Sequence, residues 1–235
     1  MTPKQLAIAL EGAYEHAREM DASLSERLNF IADAVRSLSA SFAEAVDRLV
    51  IRLQQTGAGA AAPDVGEPMP PFVLPDEAGH LVNLDELLSK GPAAVVFHRG
   101  HWCPYCRINT EALARAHRDV QAIGGQIIAI VPEGQRFTTR LKSEAKASFP
   151  ILTDVDNGYA LSLNLAVWVG EELQRLIAAA GWDLPAYQGN NAWVLPIPAT
   201  FVVGTDGLIK VRFVDPDYRQ RMAIDDMLGA IRSAR

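Results

Sequence analysis

A chain of 235 residues with 49% apolar side chains can bury one sizeable core and an appendage, but not two large domains. Its formal net charge of −6 is spread without a basic run or an acidic tail, which argues against a nucleic-acid partner. The N-terminus carries Glu11, Glu15, Arg18 and Glu19 soon after Leu6, and no later stretch approaches the ~20 apolar residues of a membrane span. The expectation is a cytoplasmic protein with no membrane partner.

From Lys4 to Gln55 there is no proline, and Leu24, Leu28, Ile31, Val35 and Leu38 recur at helical spacing. The pattern continues through Phe42, Val46, Leu49, Val50 and Leu53, so residues 1–56 read as an N-terminal amphipathic helical extension. Small residues and Pro63 mark 57–63 as a linker, and 64–235 as the main domain. The apolar stripe can pack on its own domain, cap an active site or join two copies. Contact between copies is the favoured reading, and a homodimer is expected.

After the linker, Phe72-Val73-Leu74 and 79–84 read as short strands joined through Asp76-Glu77-Ala78-Gly79, and Asp85 opens a short helix. Residues 93–98 form a buried strand, 103–123 a helix closed by Gly124-Gly125, and 126–131 a second buried strand. This is a βαβ unit. A helix over 137–147, a strand over 150–153 and a mixed helix-and-loop stretch over 157–192 follow. Two strands, 200–203 and 208–214, flank the turn Thr205-Asp206-Gly207, and 224–232 is a closing helix. The order predicts an α/β thioredoxin-like fold, a central mixed sheet flanked by helices.

The two cysteines, Cys103 and Cys106, stand at the strand-to-helix turn of the βαβ unit in the sequence Cys103-Pro104-Tyr105-Cys106. Structural disulfides are rare in the cytoplasm, so the spacing points to redox chemistry or a metal. A tetrahedral zinc site wants four ligands, and there is no second CxxC, so no metal and no cofactor are expected. One helical turn apart, the two Cα atoms should be about 5–6 Å from one another, within reach of a disulfide. At the helix start, free N–H groups and the helix dipole should lower the thiol pKa of Cys103 from its usual value of roughly 8.5, assisted by Arg99. Pro104 suits the first helical turn. Trp102 would shield the sulfur on the substrate side, and Ile197-Pro198, just before a strand, is the candidate cis-proline pair that would meet an extended thiol substrate.

Other residues have plainer readings. His98 and His101 are expected to pack at the strand end or face solvent, and Asp154 and Asp156 to form turns and caps. Trp168, Trp182 and Trp193 would line a pocket or fill the core.

The run Phe97-His98-Arg99-Gly100-His101-Trp102-Cys103-Pro104-Tyr105-Cys106, with Pro198-Ala199-Thr200-Phe201 and Phe213-Val214-Asp215-Pro216-Asp217-Tyr218, resembles the peroxiredoxin-like branch of the alkyl hydroperoxide reductase/thiol-specific antioxidant family. The resemblance covers roughly residues 64–232. It implies a thiol peroxidase in which Cys103 attacks the peroxide, Cys106 resolves the sulfenic acid, and a thioredoxin- or glutaredoxin-type partner reduces the disulfide. The main family pattern has a proline seven residues and a threonine three residues before the reactive cysteine. Here those positions are Val96 and Gly100, and Pro198 stands where an arginine usually precedes the late strand. Arg99 is the nearest substitute for that cation. The alternatives are a dithiol:disulfide oxidoreductase using the same pair, and a non-catalytic redox-sensing or scaffold module.

Overall fold

The computed structural model describes residues 3–234. It opens with three helices, α1 (Pro3–Glu19), α2 (Leu24–Leu38) and α3 (Ala40–Gln55). The breaks between them are set by serine caps. Ser23 and Glu26 form a reciprocal capping box at the start of α2, and the Ser39 hydroxyl accepts from Phe42 N–H at the start of α3. Strands β1 (Val73–Pro75) and β2 (Leu81–Asn83) pair antiparallel, and α4 (Leu84–Leu88) follows, capped by Asn83.

The central sheet uses β3 (Ala93–Phe97), reached before α5 (Pro104–Ala122), then β4 (Gln126–Val131), α6 (Gln135–Ala145) and β5 (Ile151–Thr153). Next come α7 (Gly158–Ser162), β6 (Ala166–Trp168), α8 (Glu171–Ala179), α9 (Leu184–Gln188) and β7 (Val194–Pro196). The chain closes with β8 (Ala199–Val203), β9 (Ile209–Val214) and α10 (Ile224–Ser233). Strand order is β5-β4-β3-β8-β9, with β3, β4 and β5 parallel and β8 and β9 antiparallel. This is the thioredoxin-like arrangement expected from the sequence. β3 is wholly buried because α5 and α10 cover one face and α7 and the β1–β2 ribbon the other. Of the β6–β7 ladder, β6 lies inside the stretch 157–192 read as helix and loop and β7 just after it; at three residues each, these strands are too short to show a period.

The N-terminal helices are not left as a free arm. Leu6, Leu10, Tyr14, Leu28, Ile31, Val35, Phe42, Val46 and Leu49 share one core with Trp102, Cys103, Tyr105, Cys106, Leu173 and Ile177. The stripe on which a homodimer was expected is therefore covered within the chain, as a cap on α5 and α8. Burial of ionic groups ties it down. Arg27, itself buried, donates to Glu111 of α5 at 2.8 Å and to the Ala17 carbonyl, while Arg107 of α5 pairs with Glu11 at 2.7 Å and lies 3.6 Å above the Tyr14 ring. The segment 57–63 is also anchored, since Arg212 of β9 donates to the carbonyls of Gly59 and Ala62. Among the described residues, no helix is long and apolar enough to cross a membrane.

Candidate active site

Chain geometry after β3 places the cysteines. Gly100 carries φ of +133°, where an added Cβ would sit 2.4 Å from Glu133 Cδ. The Glu133 carboxylate fills that space and accepts from His101 N–H at 2.6 Å and from His101 Nδ1 at 2.8 Å. Burial pushes the Glu133 carboxyl above its usual range, against the hydrogen bonds from His101. This latch fixes the loop that delivers Trp102 and Cys103 to the start of α5. Cys103 is the N-cap residue, its carbonyl accepting from Cys106 N–H and Arg107 N–H, and Pro104 takes the first helical position.

Both cysteines are free thiols, and Cys103 and Cys106 are 1% and 0% exposed. The Cys103 side chain accepts no N–H from the helix start. Cys106 Sγ, in contrast, receives Arg99 N–H at 3.3 Å and Arg221 Nη2 at 3.4 Å. Burial pushes the Cys103 thiol well up, and the hydrogen bond it donates to Cys106 adds to the effect. Burial also opposes a charge on Cys106, but the bond from Cys103, the Arg221 guanidinium and Arg99 N–H outweigh it and hold Cys106 well below the usual thiol range. The sequence leads one to expect the lowered thiol pKa at Cys103; the donors converge instead one turn into the helix, on Cys106 Sγ.

Arg99, the cation expected at the site, is there. Its guanidinium is 4% exposed, 3.7 Å above the Tyr218 ring and 5.0 Å from the Trp102 ring, and among the described residues it makes no ion pair. Burial works against its charge, but Cys103, Tyr218 and Cys106 more than compensate. Arg99, Trp102, Cys103, Tyr105 and Tyr218 line one cavity, closed by Leu10, Val35 and Phe42 of the N-terminal helices and by Leu173, Ile177 and Trp182. Its free volume, about 20 Å³, is room for little more than one water molecule. The Trp102 indole N–H is buried without a hydrogen-bond partner among the described residues.

Pro198 departs from expectation. The Ile197–Pro198 bond is trans, and Pro198 does not line the cavity. Ile197 N–H donates to Leu165 O at 2.7 Å while its side chain sits in the core beneath the sheet, so the chain runs extended from β7 straight into β8. His98 and His101 are both buried, not exposed to solvent. The Thr110 hydroxyl donates to Cys106 O, so it accepts from His98 Nδ1, leaving Nε2 to accept from Asn109 Nδ2 at 2.9 Å. Burial pulls the His98 pKa down to about 4, and the ring is neutral near pH 7. Asp154 caps α7 by accepting from Tyr159 and Ala160 N–H. Of the three tryptophans, Trp182 lines the cavity, Trp193 is core and Trp168 is exposed beneath Arg52. Sequence reading missed Arg221 and gave Tyr218 no role; the only signal was that Tyr218 closes a family motif and Arg221 follows it three residues later.

A thiol:disulfide interchange protein, DsbE, from Pseudomonas aeruginosa is 26% identical to the chain over 150 residues. The match covers 64% of this chain and 66% of that protein, slightly under two thirds of its length. Among solved structures, the peroxidoxin BcpB of Mycobacterium tuberculosis superposes with a TM-score of 0.56 at 19% identity, over 73% of this chain and 97% of that one. Peroxiredoxin 6 of Arenicola marina gives a TM-score of 0.56 at 16% identity, over 72% of each chain. These likenesses agree with the fold built from the strand order. Residues 65–212, which include the βαβ unit and both cysteines, match the AhpC/TSA family as a whole, and the chain belongs to that family.

Proposed function

We propose that the protein is a thiol-dependent peroxidase. The observation that supports this reading best is the enclosure of Cys103 in an apolar cavity with room for little more than one water molecule, beside a buried guanidinium that has no carboxylate partner among the described residues. Hydrogen peroxide is close to the size such a space admits, whereas a larger hydroperoxide, a disulfide on a folded protein or the reducing dithiol reaches a sulfur that is 1% exposed only with displacement of the cap.

The Cys103 thiol passes its proton to Cys106 as its sulfur attacks the terminal oxygen of the peroxide. The S–O bond forms, the O–O bond breaks, and the departing alkoxide or hydroxide takes the proton from Cys106. Arg99 and the Trp102 N–H face the oxygen on which charge develops. The Cys106 thiolate then attacks the Cys103 sulfenic acid, forming the disulfide and releasing hydroxide. A thioredoxin- or glutaredoxin-type dithiol returns the pair to thiols.

Stopped-flow mixing of the reduced protein with hydrogen peroxide, followed by mass spectrometry, tests the reading. Cys103→Ser should consume no peroxide, and Cys106→Ser should take one equivalent and stop at the sulfenic acid. Equal residual consumption by the two variants would overturn the assignment. The second reading, dithiol:disulfide interchange, draws on the adjacent sulfurs in a CxxC at a helix start, and would show as protein-disulfide reduction without peroxide consumption.

A further inference from the structure

Two guanidiniums face the dithiol and neither is neutralised by a carboxylate. Arg221, like Arg99, makes no ion pair among the described residues, and its Nε is buried without a partner. The two cations differ in what they touch. Arg99 stands in the cavity wall with Cys103, while Arg221, which does not line the cavity, donates to Cys106 Sγ. Arg221 is well held, its Nη1 donating to the carbonyls of Tyr218 and Gln220. The loop carrying it is pinned to α3 by Arg219, which bridges Asp217 and Asp47. Access is unequal as well. Cys103 lines the cavity and Cys106 does not, so once the cap is displaced an incoming sulfur meets Cys103 first.

We propose that Arg221 is a catalytic residue of the reductive half-reaction: its guanidinium receives the charge that appears on Cys106 when the Cys103–Cys106 disulfide opens, so that the external thiol is taken up on Cys103. The proposal rests on the dithiol redox reading but not on the identity of the oxidant. A reductant thiolate attacks Cys103 Sγ, and the pair of electrons in the S–S bond leaves on Cys106 Sγ, beside Arg221 Nη2 and Arg99 N–H. The second thiol of the reductant, as thiolate, then attacks the reductant's own sulfur in the mixed disulfide. Cys103 leaves as thiolate and takes a proton, and the reductant departs as a disulfide. Two electrons pass in all. A better-stabilised leaving thiolate departs faster, which gives the exchange its direction. The groups facing Cys106 are Cys103, Arg221, His98 and the Arg99 N–H, with the Glu133 carboxylate close enough to feel its charge. None of the remaining neighbours replaces the guanidinium.

The test uses full-length protein oxidised with diamide, so that the disulfide forms without peroxide. Reduction by thioredoxin or dithiothreitol is followed in wild type, Arg221→Met and Arg221→Lys. Thiolate absorbance is titrated in the Cys103→Ser and Cys106→Ser variants, each with and without Arg221→Met. Arg221→Met should slow disulfide opening by about tenfold and raise the titration midpoint of Cys106 by about one pH unit. Lysine, which keeps the charge, should restore most of the rate. When the oxidised protein is instead opened with glutathione, peptide mapping should find the adduct on Cys103. An unchanged rate of opening, or an adduct on Cys106, would overturn the proposal. If Arg221→Met does not fold, the two single-cysteine variants decide, because both keep Arg221: a Cys106 midpoint at or above that of Cys103 would overturn it. A protein that fails to consume peroxide yet shows the Arg221 dependence loses the peroxidase reading and keeps this one.

Discussion

Gly100 stands where the main family pattern has a threonine, and its surroundings explain why no side chain fits. Its φ of +133° is unfavourable for any L-residue, and an added Cβ would fall 2.4 Å from Glu133 Cδ. Space that a threonine would occupy is given to the carboxylate that latches His101. Gly100→Thr should therefore not restore the family arrangement. It should destabilise the fold by about 3 kcal/mol or more, from strain and overpacking together. For a chain of this size that is a fall of roughly 6–12 °C in Tm, readable by calorimetry. A variant with parental Tm would show that the Glu133 latch yields easily. The position of the arginines follows similar logic: with Pro198 buried outside the cavity, the cations come from the loop before α5 and from the loop after β9.

Helices α1–α3 act on the site through α5. They bury Cys103 beneath Leu10, Val35 and Phe42, and Arg27 couples α2 to Glu111 in the middle of the redox helix. Glu111→Leu would leave the Arg27 guanidinium buried with only the carbonyls of Ala17 and Arg18 as partners. Breaking a buried pair by removing one member typically costs about 3–5 kcal/mol. The cap should loosen before the sheet does, since it is held by fewer elements. Iodoacetamide should then alkylate Cys103 faster than in the parent, by about tenfold for each ~1.4 kcal/mol by which opening becomes easier. An unchanged alkylation rate with a lowered unfolding midpoint would mean that the helices stabilise the chain without gating the sulfur.

At the level of the whole molecule, a neutral buried histidine beside the dithiol makes the fold sensitive to acid. In the unfolded chain His98 protonates near its ordinary 6.5, and in the native protein only near 4. Between those values the unfolded state binds more protons, so His98 makes the protein lose stability as pH falls from about 6.5 to about 4. Over that window the loss is roughly 3 kcal/mol. His98→Gln retains an amide that can meet Asn109 and Thr110, and it should flatten the fall in urea-unfolding free energy between pH 6.5 and 4. Glu133 and Asp154, raised by burial, act in the opposite sense in both proteins and cancel in the difference. Identical pH profiles would show that His98 is protonated in the native state without cost.

Local pattern in the sequence determined the βαβ unit, the hairpin around Gly207, the amphipathic helices and the CxxC at the strand-to-helix turn, because each depends on spacing over a few residues. It also placed Arg99 near the sulfurs, four residues from Cys103. Tertiary structure decided what distance along the chain conceals. Arg221 reaches Cys106 across 115 residues, the N-terminal stripe meets α5 rather than a second copy, and the close approach of Glu133 shapes the loop at Gly100. Which sulfur receives the hydrogen-bond donors was decided the same way. A helix start favours an anion in general, but the donors that select Cys106 over Cys103 come from a loop and a strand end brought together only by folding.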